Sequence, residues 1–288
     1  MQEICCPGSK NIFTKENRMS CKVIAEIGWN FMGDMAIAEK MIVSAKSSGA
    51  DVAKFQYWDP SKLKPGPWDH DGRLEIYKAA ALNEEKIRLL MRLCDENNIE
   101  FLISAFNASD ASFISSLGIK KLKIPSHEVA NTSLHNFAAN NFEEVYVSLG
   151  AGTSSEVEQA CEIYNSVEGL FWIGMHCVSS YPCGPENANL PRLSYLSNLC
   201  KNLGYSDHTS DVVTPSISLA FGSRVVEKHF TIDKELPGRD NKFALDPDEF
   251  SQMVENIRNA EKSCFYHGPE PRDIEKDTMT SYRGRWGD

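Results

Sequence analysis

Apolar residues in this chain come in short β-branched runs, separated by longer stretches with helical spacing. From residue 21 the runs fall at 21–27, 51–57, 99–104, 119–124, 145–149, 170–177, 203–206 and 225–230. Amphipathic stretches lie between them, at about 34–48, 83–97, 109–117, 131–140, 154–166, 189–201 and 212–222, and a last one covers about 247–262. Near-continuous apolar runs flanked by helices read as parallel strands covered on both faces. Asp246-Pro247-Asp248-Glu249 sets an N-cap before a proline at the first helical position. Thr153 with Glu156, or Ser155 with Glu158, has the spacing of a capping box. Eight strand–helix units predict an α/β chain folded as a single-domain (β/α)₈ TIM barrel; a doubly wound open sheet is the alternative. Residues 1–20 read as a hairpin-like N-terminal extension, 21–264 as the barrel and 265–288 as an irregular tail. Residues 58–82, with Pro60, Pro65, Gly66 and Pro67, read as a long loop of the kind that covers an active site.

Composition narrows the function. The chain has 288 residues, 42% apolar and 24% charged, enough for one sizeable core. No stretch approaches the ~18 apolar residues of a membrane span, and the N-terminus lacks a basic start followed by an apolar run. A cytoplasmic protein is expected. Thirty Lys+Arg against forty Asp+Glu give a net charge of −10. That argues against nucleic acid or an anionic membrane as partner, while leaving room for a local cluster of cations around a small anion. The nine cysteines are scattered without a C-x-x-C pair, which fits free thiols in a reducing compartment.

The chemistry sits where the apolar runs end. There stand Glu26, Lys54, Gln56, Lys123, Ser126, Glu128, Ser148, His176, Ser206, His208, Lys228 and His229. In a (β/α)₈ barrel these strand ends open onto one face. Any one of them alone is most simply a solvated or locally paired group; the set is not. Lys54 and Lys123 interrupt apolar strands, and a buried ammonium needs an anionic partner. With Ser126, Ser148 and Ser206 they form a cradle for a small phosphorylated carboxylate, unless each is held by an internal ion pair with Glu26 or Glu128. His208 and His229 end neighbouring strands and are spaced to share one divalent metal with positions left open. His176 ends strand six and competes as a ligand. Gly150-Ala151-Gly152-Thr153 reads as a tight turn rather than a phosphate loop. Cys177 next to His176 points to the opposite face of its strand and makes a poor nucleophile pair. Ser206-Asp207-His208 cannot supply triad geometry. His70, His127, His135 and His267 are assigned no role.

These motifs resemble the N-acetylneuraminate (sialic acid) synthase family. The resemblance is carried by Ile24-Ala25-Glu26-Ile27-Gly28 with Asn30, Gly33 and Asp34, by Lys54-Phe55-Gln56, by Lys123-Ile124-Pro125-Ser126-His127-Glu128, and by Ser148-Leu149-Gly150. HCVSSYP at 176–182, GYSDHT at 204–209, EKHFT at 227–231 and Pro237-Gly238-Arg239-Asp240 complete it. It implies a (β/α)₈ barrel that condenses phosphoenolpyruvate with an open-chain N-acylamino sugar, N-acetylmannosamine-like, into a nine-carbon 2-keto-3-deoxy sugar acid plus phosphate. By likeness, Lys54, Lys123, Ser126, Ser148 and Ser206 hold phosphoenolpyruvate. His208 and His229 bind Mn²⁺ or a similar divalent ion (Mg²⁺, Co²⁺), and Glu26 handles the attacking water. Gln56, Glu128, Tyr181 and Asp240 contact the sugar. Acceptors of the legionaminic or pseudaminic type, a non-catalytic sugar-binding paralogue and a Schiff-base aldolase using Lys54 or Lys123 are the competing readings. The chain departs from the family's pattern near the expected sugar site: Phe31 stands for a histidine, Arg239 and Asn241 flank Asp240 where Pro and His are usual, and Ser179 and Ala244 replace Asn and Ser. Family members also usually carry a C-terminal antifreeze-like domain that lends an arginine to a partner subunit, and are often homodimers. This chain is expected to lack that domain, with Arg239, Arg283 or Arg285 as substitutes.

Overall fold

The computed structural model describes residues 20–66 and 72–287. Eight strands form a closed parallel barrel in chain order: β1 (Lys22–Gly28), β2 (Val52–Gln56), β3 (Glu100–Ser104), β4 (Lys121–Ile124), β5 (Glu144–Ser148), β6 (Phe171–His176), β7 (Leu203–Asp207) and β8 (Val225–His229). β1 closes the cylinder on β8, with Ile24 beside Glu227 and Glu26 beside His229. The register of β1 against β2 slips after Glu26. The open-sheet alternative is thereby excluded.

Side chains alternate in and out along each strand. Outward residues join one large apolar layer beneath the helices, while Ile24, Val52, Leu102, Tyr146, Ile173, Met175 and Val225 fill the barrel as a separate plug. The plug divides the interior. Below it, at the amino ends of the strands, Lys22 and Lys121 pair with Glu100 and Glu144. Above it, at the carboxyl ends, lies the chamber described next.

The helices start where the sequence marks them. α1 (Met35–Ser47) is capped by Asp34. Between α1 and β3 lie α2 (Arg73–Ala80) and α3 (Glu84–Glu96). α4 (Ala108–Ser116) and α5 (Thr132–Asn141) are capped by Asn107 and Asn131. α6 (Ser154–Asn165) begins with the Thr153–Glu156 capping box rather than the Ser155–Glu158 one. The expected helices at 189–201 and 212–222 shrink to α7 (Arg192–Leu196) and α8 (Thr214–Ile217), the latter followed by a 3₁₀ turn. Pro191 and Pro215 stand at their starts, and a proline nitrogen cannot extend a helix backwards. α9 (Pro247–Ser263) carries the Asp246–Glu249 capping box.

The expected loop at 58–82 contains a 3₁₀ turn, Pro60–Lys62, as well as α2; Pro67 and His70 lie outside the described residues. So do Cys5 and Cys6, and the proposed N-terminal hairpin apart from residue 20. The described cysteines are all unbridged. No described helix is long and apolar enough to cross a membrane.

Candidate active site

Four buried charges form the floor of the chamber. β1 supplies Glu26, β2 Lys54, β4 Lys123 and β8 Glu227, with exposures of 2, 3, 2 and 5%. Lys54 Nζ lies 3.0 Å from Glu26 Oε2 and 3.1 Å from Glu227 Oε2, and donates to Ser104 Oγ at 3.3 Å. Lys123 Nζ donates to Ser148 Oγ at 2.7 Å and stands 3.4 Å from Glu227 Oε1. Ser206 Oγ donates to the same Oε1 at 2.7 Å. The internal ion pair anticipated with Glu26 therefore exists for Lys54, while Lys123 pairs instead with Glu227, which Lys54 shares. Glu128 takes no part. It sits in the 3₁₀ turn Ser126–Glu128 above β4 and accepts from Asn131 at 2.7 Å.

These surroundings set the protonation states. Burial pushes Glu26 above the ordinary carboxylate range, and the repulsion of Glu227 outlasts part of the relief that Lys54 and Gln56 provide. Glu227 is also buried, yet Lys123, Lys54 and the Ser206 hydroxyl hold it well below that range. The lysines diverge as well. Burial works against the charge on Lys54, but Glu227 and Glu26 raise it overall. Lys123 is lowered by burial and by Lys54, with Glu227 only partly compensating. Glu26 and Glu227 each leave Oε2 facing Lys54 without an aligned hydrogen bond.

Above the floor, His208 and His229 face each other with ring centroids 5.8 Å apart. His208 Nδ1 lies 2.7 Å from the carbonyl of Val178, which can only accept, so Nδ1 carries the proton and Nε2 is bare. Burial lowers the His208 pKa to about 4. Burial, aided by His208 and Lys54, lowers His229 well below its ordinary value. Its Nδ1 is buried without a hydrogen-bond partner, 3.9 Å from Asp240 Oδ2. Among the described residues no three His, Cys, Asp or Glu side chains converge closely enough to hold an ion by themselves. Two neutral imidazoles with free nitrogens nevertheless suit a divalent ion that completes its shell from substrate and water.

The remaining expected residues line the rim. Tyr181 packs on His208 at 4.1 Å between centroids. Asp240 accepts from Trp29 Nε1 at 2.9 Å, and burial raises it to about 6. Gln56 donates to Glu26 Oε1 at 2.5 Å and is committed there. Ser126 shares a 2.6 Å hydrogen bond with Ser179. Beside Tyr181 a cavity of about 320 Å³ is lined by Pro182, Ser210, Lys234, Arg239, Lys242 and Phe243.

Two strand-end residues do not belong to the chamber. His176 points outward, bonded to the carbonyl of Ala188 at 2.8 Å and to Arg192 at 3.3 Å, so it does not compete with His208 and His229. Lys228 points outward against Asp207. The residues that sequence reasoning missed are Glu227 and Ser104. Glu227 was signalled by alternation: it precedes His229 by two positions and therefore shares its face. The 150–153 segment is the expected turn. A Cβ on Gly150 would come within 2.5 Å of Cys177 Sγ, so the backbone there needs glycine for close approach.

Residues 41–267 match the NeuB family. The chain belongs to the NeuB family. It is 34% identical over 273 residues to the N,N'-diacetyllegionaminic acid synthase of Legionella pneumophila, covering 89% of this chain and 77% of that one. It is 32% identical over 263 residues to the N-acetylneuraminate-9-phosphate synthase of Drosophila melanogaster, covering 87% and 71%. The N-acetylneuraminic acid (sialic acid) synthetase of Leptospira borgpetersenii, solved with citrate, superposes with a TM-score of 0.84 at 29% identity, over 90% of each chain. The resemblance drawn from the strand ends is thus upheld. This NeuB member is an enzyme of the sugar-acid synthase type, an N-acetylneuraminate synthase-like transferase.

Proposed function

We propose that this enzyme condenses phosphoenolpyruvate with an open-chain N-acylamino sugar, N-acetylmannosamine-like, to a nine-carbon 2-keto-3-deoxy sugar acid and phosphate, in the cytoplasm. The observation that carries the reading is the stacking of two layers at one mouth: lysines and hydroxyls on the floor, neutral imidazoles above. Phosphoenolpyruvate brings a carboxylate and a phosphate to the floor. Lys123, whose charge is the less well supported, gains most from such an anion, and Ser148, Ser206 and Ser126 are the neighbouring hydroxyls. Lys54 stays charged between its two carboxylates and keeps the floor from repelling the newcomer. The two reactants then lie one above the other, and much of the barrier is removed by holding them there.

His208 and His229 would hold a divalent ion, Mn²⁺ in the first instance. Such an ion acts as a Lewis acid that makes an aldehyde carbon more electrophilic. Carbon 3 of phosphoenolpyruvate forms the new C–C bond, water adds at carbon 2, and the C–O bond to phosphate breaks. Glu26, held above the ordinary carboxylate range and oriented by Gln56, is placed to steer that water and carry its proton. Tyr181 and Asp240 form the wall for the sugar, and Glu128 stands further out on the rim.

One observation favours a second acceptor class. Lys234, Arg239 and Lys242 line the cavity beside Tyr181; Lys234 is paired with Glu249, whereas Arg239 leans over the Tyr181 ring. A lining this basic in a chain of net charge −10 suits an acceptor with an anionic far end, such as a sugar phosphate. The experiment is phosphate release over a panel of aldoses, their 6-phosphates and diacetamido-trideoxyhexoses, with each component omitted in turn. The reading expects release only with phosphoenolpyruvate, aldose and divalent ion together. With phosphoenolpyruvate labelled in its bridging oxygen, the label should leave in phosphate. Silence across the panel, with calorimetry showing sugar but not phosphoenolpyruvate binding, would establish the non-catalytic alternative instead.

A further inference from the structure

Behind the strands that carry the imidazoles sits a buried cation that the chemistry above leaves unused. Ser206, Glu227 and His229 face the chamber, so Tyr205, Asp207 and Lys228 face the helix layer. Lys228 and Asp207 are each 1% exposed. Lys228 Nζ donates to Asp207 Oδ2 and to the carbonyl of Thr209, both at 2.5 Å, to the carbonyl of Asp211 at 3.1 Å, and to Thr209 Oγ1 at 3.3 Å. Asp207 also accepts from the Tyr205 hydroxyl at 2.6 Å, the Thr209 amide at 3.0 Å and the Thr209 hydroxyl at 2.7 Å. Desolvating such a pair costs about as much as its attraction returns, and an apolar pair of the same volume would stabilise the layer at least as well. A gain in stability therefore does not account for the cluster.

Its geometry does. The groups that Lys228 holds come from 207, 209 and 211, which bracket His208, and Lys228 itself immediately precedes His229. One ammonium thus ties the exit of β7 to the end of β8. The other restraints on His208 come from a different side: its ring is steered by Val178 and its carbonyl accepts from the Cys183 amide at 2.8 Å. Nothing but the Lys228 cluster links the backbone beyond His208 to that of His229 by side-chain hydrogen bonds, among those found in the described residues.

We propose that Lys228, acting with Asp207, is a positioning residue that fixes the spacing of the two imidazoles and so the grip on the divalent ion. The inference rests on the reading that His208 and His229 hold that ion. Lys228 touches neither substrate nor ion.

The test uses the full chain as wild type, His208→Ala, Lys228→Met, and the double variant Lys228→Met/Asp207→Asn. Mn²⁺ affinity is measured by the electron paramagnetic resonance of free Mn²⁺, without substrates, and melting temperature is measured without metal. Lys228→Met leaves a carboxylate buried alone, so both stability and affinity should fall, the latter by about 10–100-fold. The double variant removes both charges. Its melting temperature should recover, while its Mn²⁺ affinity stays about 10–100-fold below wild type. Affinity that recovers together with melting temperature, or that never falls, overturns the proposal. If Lys228→Met does not fold, the double variant alone decides. Failure of the underlying reading looks different: wild type that does not bind Mn²⁺, or His208→Ala binding as wild type does, removes the metal site itself and this inference with it.

Discussion

The two mouths of the barrel hold the same ionic ingredients and use them differently. Each has two lysines and two glutamates from the inward positions of the strands. At the lower mouth Lys22, Lys121, Glu100 and Glu144 retain side-chain exposures of 30, 35, 30 and 14%. Every carboxylate there meets both ammonium groups, and the Tyr146 hydroxyl donates to Glu144. At the upper mouth Lys54, Lys123, Glu26 and Glu227 are between 2 and 6% exposed. There Lys123 reaches only one carboxylate, two carboxylate oxygens lack aligned donors, and an imidazole nitrogen is idle. A count of charges would not tell the mouths apart. What marks the upper one is that its groups are desolvated and incompletely satisfied by each other, which is costly for folding and useful for binding an anion.

Breaking the upper set should therefore do most damage. Lys123→Met is expected to cut phosphate release by about 10²–10³-fold or more, the range for removing one preorganised charge stabiliser, with the fold intact; steady-state kinetics alongside circular dichroism check it. Lys54→Met should lose both activity and roughly 3–5 kcal/mol of stability, because Glu26 and Glu227 are left buried together without their shared cation. Denaturant titration reads that loss, and an unchanged midpoint would contradict the assigned pairing. Glu227→Gln comes next. It should weaken the support of both lysines and raise the KM for phosphoenolpyruvate more than that for the sugar. At the lower mouth Glu144→Gln should leave turnover within about twofold and cost about 1 kcal/mol or less, since partly exposed ion pairs contribute little.

The smallest expected effect is a pH dependence confined to that lower ring. Burial acts to raise Glu144, but the Tyr146 hydroxyl, Lys121 and Lys22 together lower it. A carboxyl lowered on folding stabilises the native state above its unfolded pKa and loses that contribution as the pH falls through the folded value. The gap in melting temperature between wild type and Glu144→Gln should therefore be full at neutral pH and close on acidification below the ordinary glutamate range. A gap that widens in acid would mean the sign is wrong.

How far the sequence revealed all this follows from which forces are local. Eight apolar runs and their helix caps are local signals, so the barrel could be read directly, and strand ends then named the mouth. Lys54 and Lys123 were visible because each interrupts an apolar run, and His208 and His229 because they stand where neighbouring runs end. Glu227 interrupts a run too, and its two-residue spacing from His229 was the signal that set it apart from the outward Lys228. His176 was ambiguous, since a shift of one position sends a side chain to the other face. Gln56 shows a different gap. Its bond to Glu26 crosses between strands, and no pattern within either strand encodes it. α7 and α8 are shorter than periodicity suggested: Pro191 and Pro215 limit their starts, and α8 tightens into a 3₁₀ turn after Ile217.

The plug of Ile24, Leu102, Tyr146, Ile173 and their neighbours has a kinetic corollary. With the ionic ring beneath it, it closes the lower side of the chamber, and among the described residues Tyr181 and the imidazoles stand on the other side. The lysine floor lies below them, so under the proposed function a molecule seated there would arrive before one that fills the space above. On the proposed reading, binding would then be ordered, with the deepest occupant first to enter.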